Sequence, residues 1–193
     1  HLAPTPPGFK VRWRDILEKN VAIYRRLPED ITLAVEELIP WFIEKVQWEW
    51  SHWDPNDSKK ELHKVCVACE ACLLIARRTK KDYAHFKKFI FLPRDLDPVR
   101  DDDDAAGDAS RTKGRIRQGW YWTRYGMEDG IDNYNLTLHE FAHMLDFREK
   151  KSDSVPHFDK RSVRREYEAF MEKEYKDVCR AWERKSGYQV IEK

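Results

Sequence analysis

A chain of 193 residues is long enough to bury one sizeable core. Charged residues make up 37%, well above the usual quarter, so the surface must be heavily charged. Yet 36 Lys and Arg nearly balance 35 Asp and Glu, and a net charge of +1 supplies no general field toward nucleic acid or a membrane surface, so neither is expected as a partner.

The start carries no secretory signal pattern. The opening on His1 rather than methionine reads as a trimmed start. Residues 1–10 hold three prolines and a glycine, which predicts a flexible tail. The remainder, 11–193, is expected to form a single domain. A helix is predicted over residues 13–26, broken at Leu27-Pro28, with Pro28 suited to the first turn of the next helix. That second helix, over 29–45, carries Ile31, Val35, Leu38, Ile39, Phe42 and Ile43 at helical spacing. Pro40 should kink or split it. Trp48, Trp50 and Trp53 follow and read as core anchors rather than a ligand cage.

Residues 58–80 read as one helix with Ser58 as its cap. Cys66, Cys69 and Cys72 lie three apart on one stripe of it, with Cys179 distant. A zinc ribbon would need a second paired knuckle, which the chain lacks. The three are therefore expected to be buried, reduced and metal-free. Reduced thiols fit a cytoplasmic setting. Phe89 to Leu92 is a short apolar run of β-forming residues, expected as a buried strand. Residues 94–114 read as an acidic, turn-rich loop, with Asp95, Asp97 and Asp101 to Asp104. The alternating ligands of a calcium loop, with their fixed Gly and Glu, are missing. Residues 115–125 alternate and are aromatic, which predicts a second strand, followed by a turn over 126–132. A long helix is expected over 162–185, stopped by Gly187, with Lys185 near its negative end.

Between these elements stands His139-Glu140-Phe141-Ala142-His143, an H-E-x-x-H motif. On a helix, residues four apart sit roughly 40° apart around the axis, one turn above the other. Both imidazoles can then reach one metal ion, and Glu140 can reach a water bound to it. Leu136, Phe141, Ala142 and Leu145 give the helix an apolar body, and Asn135 or Thr137 can cap its start.

The block Asn135-Leu136-Thr137-Leu138-His139-Glu140-Phe141-Ala142-His143-Met144-Leu145-Asp146 resembles the core of the Mlc titration factor A family of bacterial zinc peptidases. Tyr24-Arg25-Arg26-Leu27-Pro28, Ala71-Cys72-Leu73-Leu74, Phe89-Ile90-Phe91-Leu92-Pro93 and Gly119 to Trp122 match weaker family segments in the same order. The resemblance covers roughly residues 13–188. It implies an α+β fold of helical layers around a small β-sheet, zincin-like, with the H-E-x-x-H motif on a central helix. It implies peptide-bond hydrolysis, with zinc held by His139 and His143 and its bound water activated by Glu140 as general base. Asp146 either orients an imidazole from behind the ligands or caps a surface turn. Gly119, Trp120, Tyr121 and Trp122 either form an edge strand that pairs with an extended substrate or fill the core.

A catalytic zinc takes three protein ligands. Metzincin spacing would need glycine at Asp146 and histidine at Glu149, so that class is excluded. The resembled family is gluzincin-like, with a glutamate ligand on a later helix. Glu166-Tyr167-Glu168-Ala169-Phe170-Met171-Glu172 is superficially similar to that helix. The order of segments instead makes it the preceding helix, so the chain reads as C-terminally incomplete and no third ligand is assigned. The alternative function is a weakly catalytic or non-catalytic regulator, since the resembled family also associates with the transcriptional repressor Mlc.

Overall fold

The structure is a computed structural model that describes residues 4–93, 107–129, 134–147, 155 and 157–186. Among these it is α+β, with six α-helices and one mixed four-stranded sheet. The chain enters through α1 (Val11–Asn20), a 3-10 turn (Tyr24–Arg26) and α2 (Glu29–Lys45). Then come β1 (Gln47–Trp50), α3 (Asp57–Leu74), a second 3-10 turn (Lys80–Tyr83) and β2 (Lys88–Leu92). The hairpin β3 (Gly107–Ser110) and β4 (Arg115–Gly119) leads into α4 (Trp120–Glu128), α5 (Leu136–Asp146) and α6 (Arg161–Ser186).

The sheet order is β1-β2-β4-β3. The pairs β1·β2 and β2·β4 are parallel, and β3 runs antiparallel along β4. Trp48, Phe89 and Ile116 are in register, as are Trp50, Phe91 and Gln118. Side chains alternate across a strand, so these six share one face. That face meets the helices, with Phe89 stacked on Phe141 of α5 at 6.1 Å between ring centres. The opposite face carries Glu49, Lys88, Arg115 and Arg117, and Lys88 pairs there with Glu49 at 2.9 Å. The larger apolar face is thus covered by helices, while the opposite face is mainly charged around buried Ile90.

The helix at the centre is α3, not the motif helix. Every residue from Val65 to Cys72 is buried. Such a helix is apolar on several sides because α1, α2 and α5 all pack against it. Its cap is Asn56, whose side chain accepts from the Lys59 backbone N–H at 3.0 Å, two residues before the expected Ser58. It ends at Leu74 rather than at residue 80. Cys66, Cys69 and Cys72 are free and fully buried, and burial pushes each thiol well above its ordinary pKa.

Several other expectations change. Within the expected tail, Pro6 and Phe9 are buried, Phe9 edge-on against Trp13 at 5.4 Å, while the other residues of 4–10 are exposed. The first helix stops at Asn20, and the chain reaches Leu27 through the 3-10 turn. Helix α2 runs unbroken through Pro40. Buried Glu36 on α2 holds this layer together, because Arg14 clamps it with two bonds of 2.7 Å and the Tyr24 hydroxyl donates at 2.7 Å. The acidic run 94–106 lies outside the described residues, as do Pro156 and Gly187. Residues 107–110, placed in that loop from sequence, form β3 instead. No helix among the described residues is long and apolar enough to cross a membrane.

Candidate metal centre

The motif helix α5 is fixed at its start by Asn135. Its Oδ1 accepts from the Leu138 backbone N–H at 2.9 Å, an N-cap. Its Nδ2 donates to Glu70 of α3 at 2.5 Å and to the Gly126 carbonyl at 3.2 Å. Gly126 is required there, since a Cβ on it would stand 3.0 Å from the Asn135 Cα and 3.2 Å from the Tyr134 carbonyl oxygen. One residue into the helix, buried Thr137 accepts from Gln118 of β4 at 2.9 Å. Phe141, Met144 and Leu145 then face the core, where Phe141 meets Phe42, Tyr83, Phe86 and Phe89.

With those positions turned inward, His139 and His143 are left facing outward, both exposed. Their Nε2 atoms stand 3.0 Å apart, with ring planes at 87°. Two imidazoles on one tetrahedral zinc, each at ~2.0–2.1 Å, have nitrogens roughly 3.3 Å apart. The observed spacing is within a small ring rotation of that, so both side chains fit as ligands of one ion. Burial and the neighbouring His139 hold the His143 pKa below its ordinary value, while the charge of Asp146 acts in the other direction.

Between the two histidines in sequence, Glu140 points to a cleft of about 500 Å³ that is lined also by Gly107, Asp108, Ala109, His143, Asp146 and Phe147. Glu140 is 5% exposed. Burial, and then the negative charge of Asp108, push its pKa up to about 7. A carboxyl so placed exchanges a proton readily near neutrality.

The strand beside this cleft is β3. It is one of the two edge strands of the sheet among the described residues, and it packs against α5. Gly107 lies where they meet, and a Cβ there would come within 3.3 Å of Leu136. The expected edge strand at 119–122 is corrected: Gly119 ends β4, an inner strand, and Trp120, Tyr121 and Trp122 open α4. Helical spacing, not alternation, sorts these aromatics. Trp120 packs on the core, while Tyr121 and Trp122 join Tyr125 and Tyr134 in an outer aromatic group.

Among the described residues, no third His, Cys, Asp or Glu joins His139 and His143 in a group able to hold a metal. On α6, Glu168 pairs with Arg164 at 2.8 Å and Glu172 with Lys176 at 2.6 Å, each within the helix itself. Asp146 lines the cleft beside His143. Sequence reasoning did not find Asp108 or Glu70. Asp108 sits in a short strand without β-branched residues, and Glu70 lies 65 residues before the Asn135 that it holds.

The model of the glucose-regulated metallo-peptidase M90 family matches residues 3–193, and the chain belongs to that family. An uncharacterized protein of Synechocystis sp. is 23% identical over 188 residues, which cover 91% of this chain. The chain spans 65% of the length of that relative.

Proposed function

We propose, from membership of the metallo-peptidase family, that this chain carries the centre of a zincin-like, zinc-dependent peptidase. The observation that carries the reading is the convergence of two Nε2 atoms at 3.0 Å beside a buried carboxyl. His139 and His143 would hold the zinc. A third ligand would come from outside the described residues. Zinc bound there supplies Lewis acidity, which polarises a carbonyl and acidifies a water.

The chain's own residues do the rest. Glu140 takes the proton of the attacking water on its carboxylate and hands it to the leaving amine. A peptide or protein substrate lies extended along β3, whose outer edge offers backbone hydrogen bonds. This moves the substrate-binding role from Gly119, Trp120, Tyr121 and Trp122 to the strand that flanks the cleft. Asp146 steadies the His143 imidazole through its charge. Three buried, reduced thiols fit a cytoplasmic setting.

A second reading draws on α6. Phe170, Tyr175, Val178 and Trp182 are each more than half exposed on it. Such a surface suits a regulator that holds a transcriptional repressor or another protein partner. Hydrolysis of a chromogenic peptide, with and without chelator, separates the two. Glu140→Gln should lower turnover by about a hundredfold or more while the protein's metal content stays unchanged. Near-normal turnover in that variant would refute the assignment.

A further inference from the structure

We propose that a second cavity, at the carboxyl ends of β1, β2 and β4, binds a small anion carrying a flat aromatic ring. It has a volume of about 640 Å³ and shares no lining residue with the metal cleft. That volume falls within the ~300–1,000 Å³ usual for small-molecule sites.

Its position follows from the topology. Trp53 comes three residues after β1, Pro93 directly after β2, and Trp120 directly after β4. These three strands are parallel, so their carboxyl ends open on one side. Crevices outside the carboxyl ends of parallel strands are where such sheets take ligands.

The walls define the ligand's body. Trp53, His63, Trp120 and Tyr121 line the cavity. Trp120 lies over His63 with 3.8 Å between ring centres, and Trp53 stands 5.4 Å from the same ring. Trp120 is braced from behind by Phe91 at 6.0 Å. Braced aromatic faces favour a flat, unsaturated guest over a flexible chain.

The charges define its other end. Among the described residues, Lys59 and Arg124 are on the lining and no Asp or Glu is. Arg124 is bridged to Glu128 at 3.1 Å, but both side chains are about half exposed, so the pair is weak and can give way to an anion. His63 adds a neutral donor. Its Nδ1 accepts from the Trp50 indole at 3.0 Å, which leaves the proton on Nε2. Burial, with Lys59 nearby, keeps this imidazole uncharged, its pKa brought down to about 4. His52, also on the lining, takes φ 62° in the turn that directly follows β1.

The test is binding of phenyl phosphate, benzoate and AMP to the intact chain, read by quenching of tryptophan fluorescence and by calorimetry. Inorganic phosphate and adenosine are the controls, each with half of the required chemistry. All three aryl anions should saturate, with each control weaker by about tenfold or more. A preference for AMP would mark the natural ligand as a nucleotide, and one for benzoate an aryl carboxylate; both outcomes support the site. The double variant Lys59→Gln, Arg124→Gln alters two exposed side chains. It should keep the wild-type Tm and lose about tenfold in affinity. His139→Ala should bind as the wild type does. The proposal is overturned if no aryl anion saturates by about 10 mM, if adenosine binds as well as AMP, if the double variant binds normally, or if His139→Ala abolishes binding.

Discussion

Replacing Asn135 with alanine tests the link between the core and the candidate metal centre. Asn135 makes three bonds with one side chain: it caps α5 through Leu138, and it donates to Glu70 and to the Gly126 carbonyl. Loss of an N-cap costs about 1 kcal/mol. Loss of the donor leaves Glu70 Oε1, on a side chain with no exposure, short of a partner, which costs about 1–3 kcal/mol more. The total is about 2–4 kcal/mol. For a chain of this size the fall in Tm is about 5–15 °C. Urea and thermal unfolding followed by circular dichroism measure it. Asn135→Asp keeps the cap acceptor but presents a second carboxyl to Glu70, so it should be no milder. If Asn135→Ala lies within about 0.5 kcal/mol of the wild type, the three bonds do not carry the start of α5 and the reasoning fails.

The remaining expectations are shorter. Burial raises the Glu70 pKa to about 8, above the ~4.3 of an unfolded glutamate, so its contribution to stability is fully present below ~4.3 and is lost as pH rises toward 8. Wild-type urea midpoints should therefore fall between about pH 5 and pH 8 more steeply than those of Glu70→Gln, and parallel profiles would remove Glu70 as the cause. Cys66, Cys69 and Cys72 should resist thiol reagents in the folded protein, with labelling only on unfolding; fast modification of all three in native buffer would contradict their burial. Gly126→Ala should destabilise by about 1–3 kcal/mol in chemical denaturation, because its Cβ meets the backbone at Asn135 and Tyr134 rather than a movable side chain. A neutral result would mean that α4 and α5 can part without loss.

How much of this was legible depended on the range of the determining contact. The second helix, the buried strand at Phe89 to Leu92, the motif helix and the long last helix were readable because residues within each segment specify it, by helical spacing in the second helix and by an unbroken apolar run in the strand. The cap was readable only as Asn135 or Thr137, and the structure puts it on Asn135. The tryptophans were harder. Gln47-Trp48-Glu49-Trp50 does alternate, but four residues are too few to separate a strand from a run of anchors. Trp120-Tyr121-Trp122 has strong β-forming composition and is nonetheless helical. Thr123 and Met127, four apart, are buried with Gly126, and that spacing faces a helix inward where alternation would not. The strand β3 has no β-branched residue at all, and it is a strand because β4 pairs with it.

The two buried glutamates show why the motif alone does not define the centre. Glu70 and Glu140 are both carboxyls whose pKa burial raises, to about 8 and about 7. Glu70 is sealed completely, and Asn135 of the motif helix donates to it. A group with no access to a cleft can only hold structure, and Glu70 does so by accepting the Asn135 Nδ2–H on Oε1. Glu140 lines the cleft that His143 and β3 also line, and the charge of Asp108 acts on it there. It alone of the pair can exchange a proton with a bound molecule. Environment therefore divides the roles between two chemically identical side chains. The dividing contacts come from α3 and β3, elements far from the motif in sequence, which is why the five residues from His139 to His143 identify the chemistry while the fold around them decides whether it can operate.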